Sequence, residues 1–155
     1  MPQTHVATAL HEEHLATLRL IARLETLLGH AAPDASVAAL LRDIRHAVAH
    51  EIGPHFRFEE EHLFPRLADA GATELVALLT EEHARILPLA QSLADFAMQG
   101  PAPDQWRDFA ATGAAFATAL AAHVEKEEAG MLPALDDLLD AEADSMLSLT
   151  HAELS

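Results

Sequence analysis

Two phrases in the chain hold residues that could do chemistry. "HFRFEEEHLFP" occupies residues 55–65, and "HVEKEEAGMLP" occupies residues 123–133, 68 positions further on (123 − 55). Each sets a histidine and a glutamate at i and i+4: His55 with Glu59, and His123 with Glu127. On a helix such a pair lies on one face, one turn apart, so an imidazole nitrogen and a carboxylate oxygen reach into the same space. A shorter phrase precedes each: "HEEH" ends at His14 and "TEEH" at His83, 69 positions apart (83 − 14). Apolar neighbours at helical spacing turn these faces inward. Leu10 and Leu18 flank His14, and Leu79 and Leu87 flank His83. Phe116 and Leu120 lead into His123 and Glu127, while Leu41, Ile44 and Val48 lead into His55 and Glu59. Two carboxylates in a core, with no Lys or Arg on the same stripes, are strongly unfavourable without a cation. A metal ion resolves the conflict, and two resolve it better, because a glutamate can bridge both. The expected metal ligands are His14, His55, Glu59, His83, His123 and Glu127.

A single inward histidine is more often hydrogen-bonded in the core than ligated, and a single HxxxE is commonly a surface pair. Two copies on apolar stripes, each with a partner histidine on the preceding helix, argue against both readings. His62, three residues beyond Glu59 on the same face, is a seventh candidate, as an extra ligand or a pocket residue. Its repeat partner is Gly130, and its alternative is a hydrogen-bonded histidine of the pocket or bundle end. Glu12, Glu13, Glu60, Glu61, Glu81, Glu82, Glu125 and Glu128 read as solvated, with supporting places behind the ligands open to them. His5, His30, His46 and His151 read as surface residues, and Phe56, Phe58 and Phe64 as core or pocket wall.

The elements that must position these groups follow from period and punctuation. Apolar spacing predicts a first helix from about Thr4 to Gly29, and a second, capped by Asp34, running to about Leu67 with a kink or break at Gly53-Pro54. A third spans about Thr73 to Met98 with a kink at Pro88. Asp104 is expected to cap a fourth that reaches about Leu139, and a short helix near Glu142 to His151 should cover one end. Short linkers favour antiparallel neighbours. The expected fold is all-α: an up-down-up-down four-helix bundle with a short C-terminal helix. It forms a single domain over 1–155 built from two helix-pair repeats, about 4–70 and 73–139.

Composition narrows the function. Half of the 155 residues are hydrophobic, enough for a core. A formal net charge of −16, from nine basic against 25 acidic residues, repels nucleic acid and anionic lipid. No cysteine is present, which removes disulfides, iron–sulfur clusters and thiolate chemistry, and no tyrosine, which removes a tyrosyl radical. The first residues lack the pattern of a signal peptide. The longest uncharged stretch, Phe109 to Ala122, is too short to span a bilayer. A cytoplasmic monomer or homodimer is expected.

In the order "HEEH", "HFRFEEEHLFP", "TEEH" and "HVEKEEAGMLP", the chain resembles the hemerythrin-like, or HHE cation-binding, domains over nearly its whole length. The resemblance implies a helical bundle around two iron ions bridged by two carboxylates and an oxo or hydroxo group. His14 and His55 would serve one ion, His83 and His123 the other, and Glu59 and Glu127 would bridge. Zinc or manganese would also accept these donors. The oxygen-carrying members place a further histidine four residues from the one on helix three. Here Leu79 and Leu87 occupy those positions, which counts against reversible oxygen carriage. The expected function is a di-iron protein that binds or senses O2, NO or iron. The alternatives are a di-iron enzyme with catalase-like or oxidase-like activity, taking oxygen or peroxide, and a ferritin-type carboxylate site suggested by Glu59 and His62.

Overall fold

The computed structural model describes residues 1–30, 35–97 and 101–154. They are helical, with no strand among them. Helix α1 is His5–Leu28, bounded by Thr4 and Gly29 as the sequence predicts. Helix α2 runs without interruption through Ala35–Ala47, Val48–Ile52, Gly53–Phe58, Glu59–Leu63 and Phe64–Asp69. Helix α3 is Thr73–Ala97. Helix α4 runs through Trp106–Lys126, Glu127–Met131 and Leu132–Leu138, and α5 is Ala141–Leu154. The expected Asp34 cap and the end of α3 at Met98 lie outside the described residues.

The prolines in α2 and α4 widen the helix rather than break it. Val48–Ile52, Glu59–Leu63 and Glu127–Met131 are π-turns, and a proline follows each one (Pro54, Pro65 and Pro133). Gly53, Phe64 and Leu132 each donate a backbone hydrogen bond five residues back, to Val48, Glu59 and Glu127. Proline cannot donate, and its ring collides with a carbonyl in the preceding turn. A turn wider by one residue moves that carbonyl aside and keeps the helix going. Pro88 lies within α3, which remains α-helical on both sides.

Two further boundaries depart from expectation or explain it. Asp104 does not cap α4. It sits in a 3₁₀ turn, Pro103–Gln105, where the Ala102 N–H donates to Gln105 Oε1 at 2.9 Å. Between α2 and α3 the chain reverses at Gly71, whose φ of 103° strongly favours glycine. There Ala72 N–H donates to the Leu67 carbonyl at 2.9 Å and Gly71 N–H to that of Ala68 at 3.0 Å, the paired bonds that close a Schellman motif.

α5 does more than cover an end. Asp144 accepts from the backbone N–H groups of His5 and Val6, each at 2.9 Å, and Asp136 accepts from those of Gln3 and Thr4, each at 2.9 Å. Thr4 Oγ1 takes the Ala7 N–H at 3.3 Å. The free amides at the start of α1 are thus satisfied by two carboxylates from the far end of the chain, and their negative charge suits the positive end of the helix dipole. α1 packs along α4, α2 along α3, and α3 along α4, whereas α1 and α2 meet over a smaller area.

Candidate metal centre

The core is split into two apolar clusters. One contains Ile21, Ile44, Phe56, Ile86, Phe116, Leu120 and Val124; the other contains Leu10, Phe58, Leu63, Leu79, Met131 and Leu135. On every long helix the candidate ligands sit between them. His14 lies between Leu10 and Ile21, His55 and Glu59 between Ile52 and Leu63, His83 between Leu79 and Ile86, and Glu127 between Val124 and Met131. The expected stripes need one adjustment, because Leu18 and Leu87 are exposed. With 3.6 residues per turn, the inward face passes from His14 to Ile21 and from His83 to Ile86.

Six residues from the four long helices meet in this layer. His14, His55, Glu59 and Glu127 form one group, and Glu59, His83, His123 and Glu127 a second; within each, one ligand-type atom per residue lies within 4.8 Å of all the others. Both glutamates belong to both groups. The imidazoles present Nε2 inward. His14 Nε2 is 2.9 Å from Glu127 Oε1, and His55 Nε2 is 3.2 Å from Glu59 Oε2. His83 Nε2 is 3.2 Å from Glu59 Oε1, and His123 Nε2 is 3.2 Å from Glu127 Oε2. Each glutamate thus turns one oxygen to each half of the layer.

The layer is not satisfied by protein alone. Both oxygens of Glu59 and Oε2 of Glu127 are fully buried without a hydrogen bond. The Nε2 atoms of His83 and His123 lie 3.1 Å apart, so at least one of the two must lack its proton there. Unpaired buried carboxylate oxygens are costly. Inward nitrogens with carboxylate oxygens and no sulfur suit a divalent first-row metal, so the donor set fits the cations that the sequence calls for.

Behind each imidazole stands a second carboxylate, which accepts from Nδ1. His14 donates to Glu128 at 3.0 Å, His55 to Glu13 at 3.3 Å, His83 to Glu60 at 2.9 Å and His123 to Glu82 at 2.9 Å. Such partners fix which ring nitrogen faces a metal and raise its basicity. Three of these carboxylates are held in turn: Glu128 by His11, Glu82 by Lys126, and Glu13 by His151 at 2.7 Å. The sequence reading took all four as mainly solvated, with supporting places behind the ligands open to them, and put His151 on the surface. Glu82 is in fact buried, and His151 packs against Phe58 as well as Glu13. A signal was present: each outer glutamate has its counterpart at the repeat offset, Glu13 with Glu82 and Glu60 with Glu128.

Electrostatics follow from this arrangement. Burial by itself raises the Glu127 carboxyl, but the imidazoles of His123, His14 and His55 beside it outweigh this and hold Glu127 well below the usual carboxylate range. Burial pushes His55 down, but the charge of Glu59 and bonds to Glu127 and Glu13 bring it well above its ordinary value. His14 and His123 are raised as well, burial being overcome chiefly by Glu127. Glu13 falls to about 2, burial being outweighed by His151 and His55. Without a metal, protons on these imidazoles supply the positive charge that the carboxylates demand.

His62 does not join the six. It is outside both groups, about a third exposed, with Phe58 beside it and Glu61 Oε2 at 3.8 Å. The π-turn that begins at Glu59 accounts for this: in a wide turn, the third residue onward no longer stacks over the first. Nor does α3 add an imidazole beside His83, since Leu79 is buried in the apolar cluster and Leu87 points outward.

Fold and site together define an all-helical protein with a buried layer of histidines and glutamates that could hold cations. The family model of the hemerythrin HHE cation-binding domain matches residues 5–135, and the chain belongs to that family. No curated protein gives a significant match. No helix among the described residues is long and apolar enough to cross a membrane.

Proposed function

We propose that the protein holds two iron ions side by side and uses them to bind or sense a small neutral ligand such as O2 or NO. His14 and His55 serve one ion, His83 and His123 the other, and Glu59 and Glu127 are shared. The four long helices alternate in direction around this layer. One observation carries the reading: two ligand groups with two buried carboxylates in common, three of whose oxygens face imidazole nitrogens without a hydrogen bond. Iron, rather than zinc or manganese, is favoured by the family resemblance.

When bound, the ions supply Lewis acidity and one-electron chemistry toward the small ligand. The chain's own residues do the rest. Glu13, Glu60, Glu82 and Glu128 keep each Nδ1 protonated and each Nε2 free to face a cation. The two apolar clusters exclude bulk water from above and below. With two imidazoles for each ion and no third from Leu79, Leu87 or His62, the protein leaves room for an exogenous ligand. The same feature favours a second reading, turnover of hydrogen peroxide.

Metal analysis with an optical spectrum of freshly purified protein tests the first reading. About two irons per chain are expected, with a spectrum that changes on adding NO under anaerobic conditions. One iron or none, or a spectrum indifferent to NO and O2, would refute it. Peroxide separates the two readings: repeated consumption marks an enzyme, and a single bleaching marks a binding protein.

A further inference from the structure

Helix α5, Ala141–Leu154, lies beyond residues 5–135 that the family model matches, and the helix-pair repeat holds no counterpart of it. It follows α4 through Leu139, whose backbone is extended (φ −86°, ψ 126°), and Asp140. Its hold on the bundle is mostly polar. Asp144 accepts from the N–H groups of His5 and Val6, and His151 donates to Glu13. Leu147 is buried in the apolar cluster of Leu10 and Phe58, but Met146 and Leu149 are 57% and 68% exposed. Ser148 Oγ is buried without a hydrogen bond, which counts against the docked position. A helix held by one buried apolar side chain and a few polar contacts opens at lower free energy than the core helices.

The internal repeat shows what this helix supplies. Glu13 and Glu82 are counterparts and stand behind His55 and His123. Glu82 is held by Lys126. The residue 68 positions before Lys126 (126 − 58) is Phe58, which carries no charge. His151 stands in for the missing cation. Its ring meets that of Phe58 edge-on, centroids 5.1 Å apart, and its Nε2 is 2.7 Å from Glu13 Oε1.

The same oxygen accepts from His55 Nδ1 at 3.3 Å, the longest of the four outer contacts. His55 is also the most exposed of the four inward histidines, at 8% against 2% or less. A cavity of about 380 Å³ reaches it, with His14, His55 and His151 among the lining residues. Val124, the counterpart of Phe56, lines it as well. Glu82 and Glu128 are thus held from within the matched span, whereas Glu13, at the cavity, is held from the added helix.

We propose that α5 is a hinged strap and His151 its latch. Closed, His151 acts through Glu13 as a positioning residue for His55 and completes the cavity wall. Open, the strap frees the His55 ring and uncovers the cavity. The proposal rests on the metal reading for the role of His55 as a ligand, and on geometry alone for the chain from His151 through Glu13 to His55.

Two measurements test it. In metal-free protein the α5 amides should exchange with solvent at least about ten-fold faster than those of α3. Amides of α5 as slow as those of α3 would overturn the strap. NMR of the ring N–H protons in zinc-loaded protein reads the latch. In His151→Ala the His55 Nδ1 proton should shift and exchange faster with water, while those of His83 and His123 stay in place. Affinity for one zinc ion should fall about ten-fold. His151→Gln, whose side-chain amide can donate to Glu13, should restore both. Leu147→Ala loosens the strap with His151 intact and should move the same proton, so the latch is readable even where His151→Ala fails to fold. A His55 proton unmoved in the folded variants, or equal shifts at all four rings, would overturn the latch. Failure of the metal reading looks different: wild-type protein would take up no zinc, yet the His55 ring nitrogens of the metal-free protein would still respond to His151→Ala.

Discussion

The His83 side of the centre is closed and the His14 side is open. His83 lies under Phe56 and has Phe64 on a further side, centroids 5.4 Å apart, while its outer nitrogen is held by Glu60. His14 has the same outer carboxylate in Glu128 but looks onto a cavity. The helix-pair repeat thus carries the candidate ligands and their outer carboxylates twice, and changes the walls. Ligand chemistry and ligand access are set by different residues, so they can be broken separately.

The largest effect is expected where the two halves are joined. Glu59→Ala or Glu127→Ala should remove at least one of about two ions and lower the melting temperature of the loaded protein, because each carboxylate faces both halves. Metal analysis checks this. Full occupancy in both variants would mean that the glutamates are not shared.

Next come the walls. Phe56→Val should destabilise the metal-free protein by about 2–4 kcal/mol, as a large-to-small change in a packed core, measured by urea unfolding. Val124→Phe should cost less than about 1 kcal/mol, because it enters existing space. Equal costs would show that the two sides are packed alike.

A smaller, pH-dependent effect separates metal-free from loaded protein. His14, His55 and His123 have raised values, so their contribution is complete below 6.5 and is lost as pH rises through the folded values. Glu127 and Glu13 have lowered values, so theirs is present above 4.5 and is lost as pH falls, for Glu13 down to about 2. Metal-free protein should therefore be most stable between about 4.5 and 6.5 and weaken above that range. Metal binding needs imidazoles free of the ligating proton, so loaded protein should gain over the same rise. Melting curves from pH 5 to 9 should show the gap between the two forms widening; a constant gap would count against ligation by these histidines.

The smallest effects are expected at the periphery. His151→Ala removes one of the two histidine partners of Glu13 and should cost about 1 kcal/mol or less, with a change in the open half only. His62→Ala should stay within about 0.5 kcal/mol of wild type with unchanged metal content. Loss of an ion in that variant would restore His62 to the centre.

What the sequence determined by itself was local. A histidine and a glutamate four residues apart share a helix face whatever surrounds them, so the six inward residues, the span of α1 and the break between α2 and α3 could be read from spacing and residue type. The helical composition pointed the same way. Other features depended on which helices became neighbours. Glu82 looks solvated in sequence and is buried because α3 packs on α4 beside Lys126 and His123. Asp144 and Asp136 complete α1 from more than 130 positions away. His62 left the shared face because the chain widened a turn ahead of Pro65 instead of breaking there. The cavity is lined by residues of α1, α2, α4 and α5, among them the small side chains of Ala9 and Thr17, which come together only in the fold. Backbone geometry fixes which side chains share a helix face, but burial, pairing and empty volume are set between helices distant in the chain, and only the tertiary packing decides them.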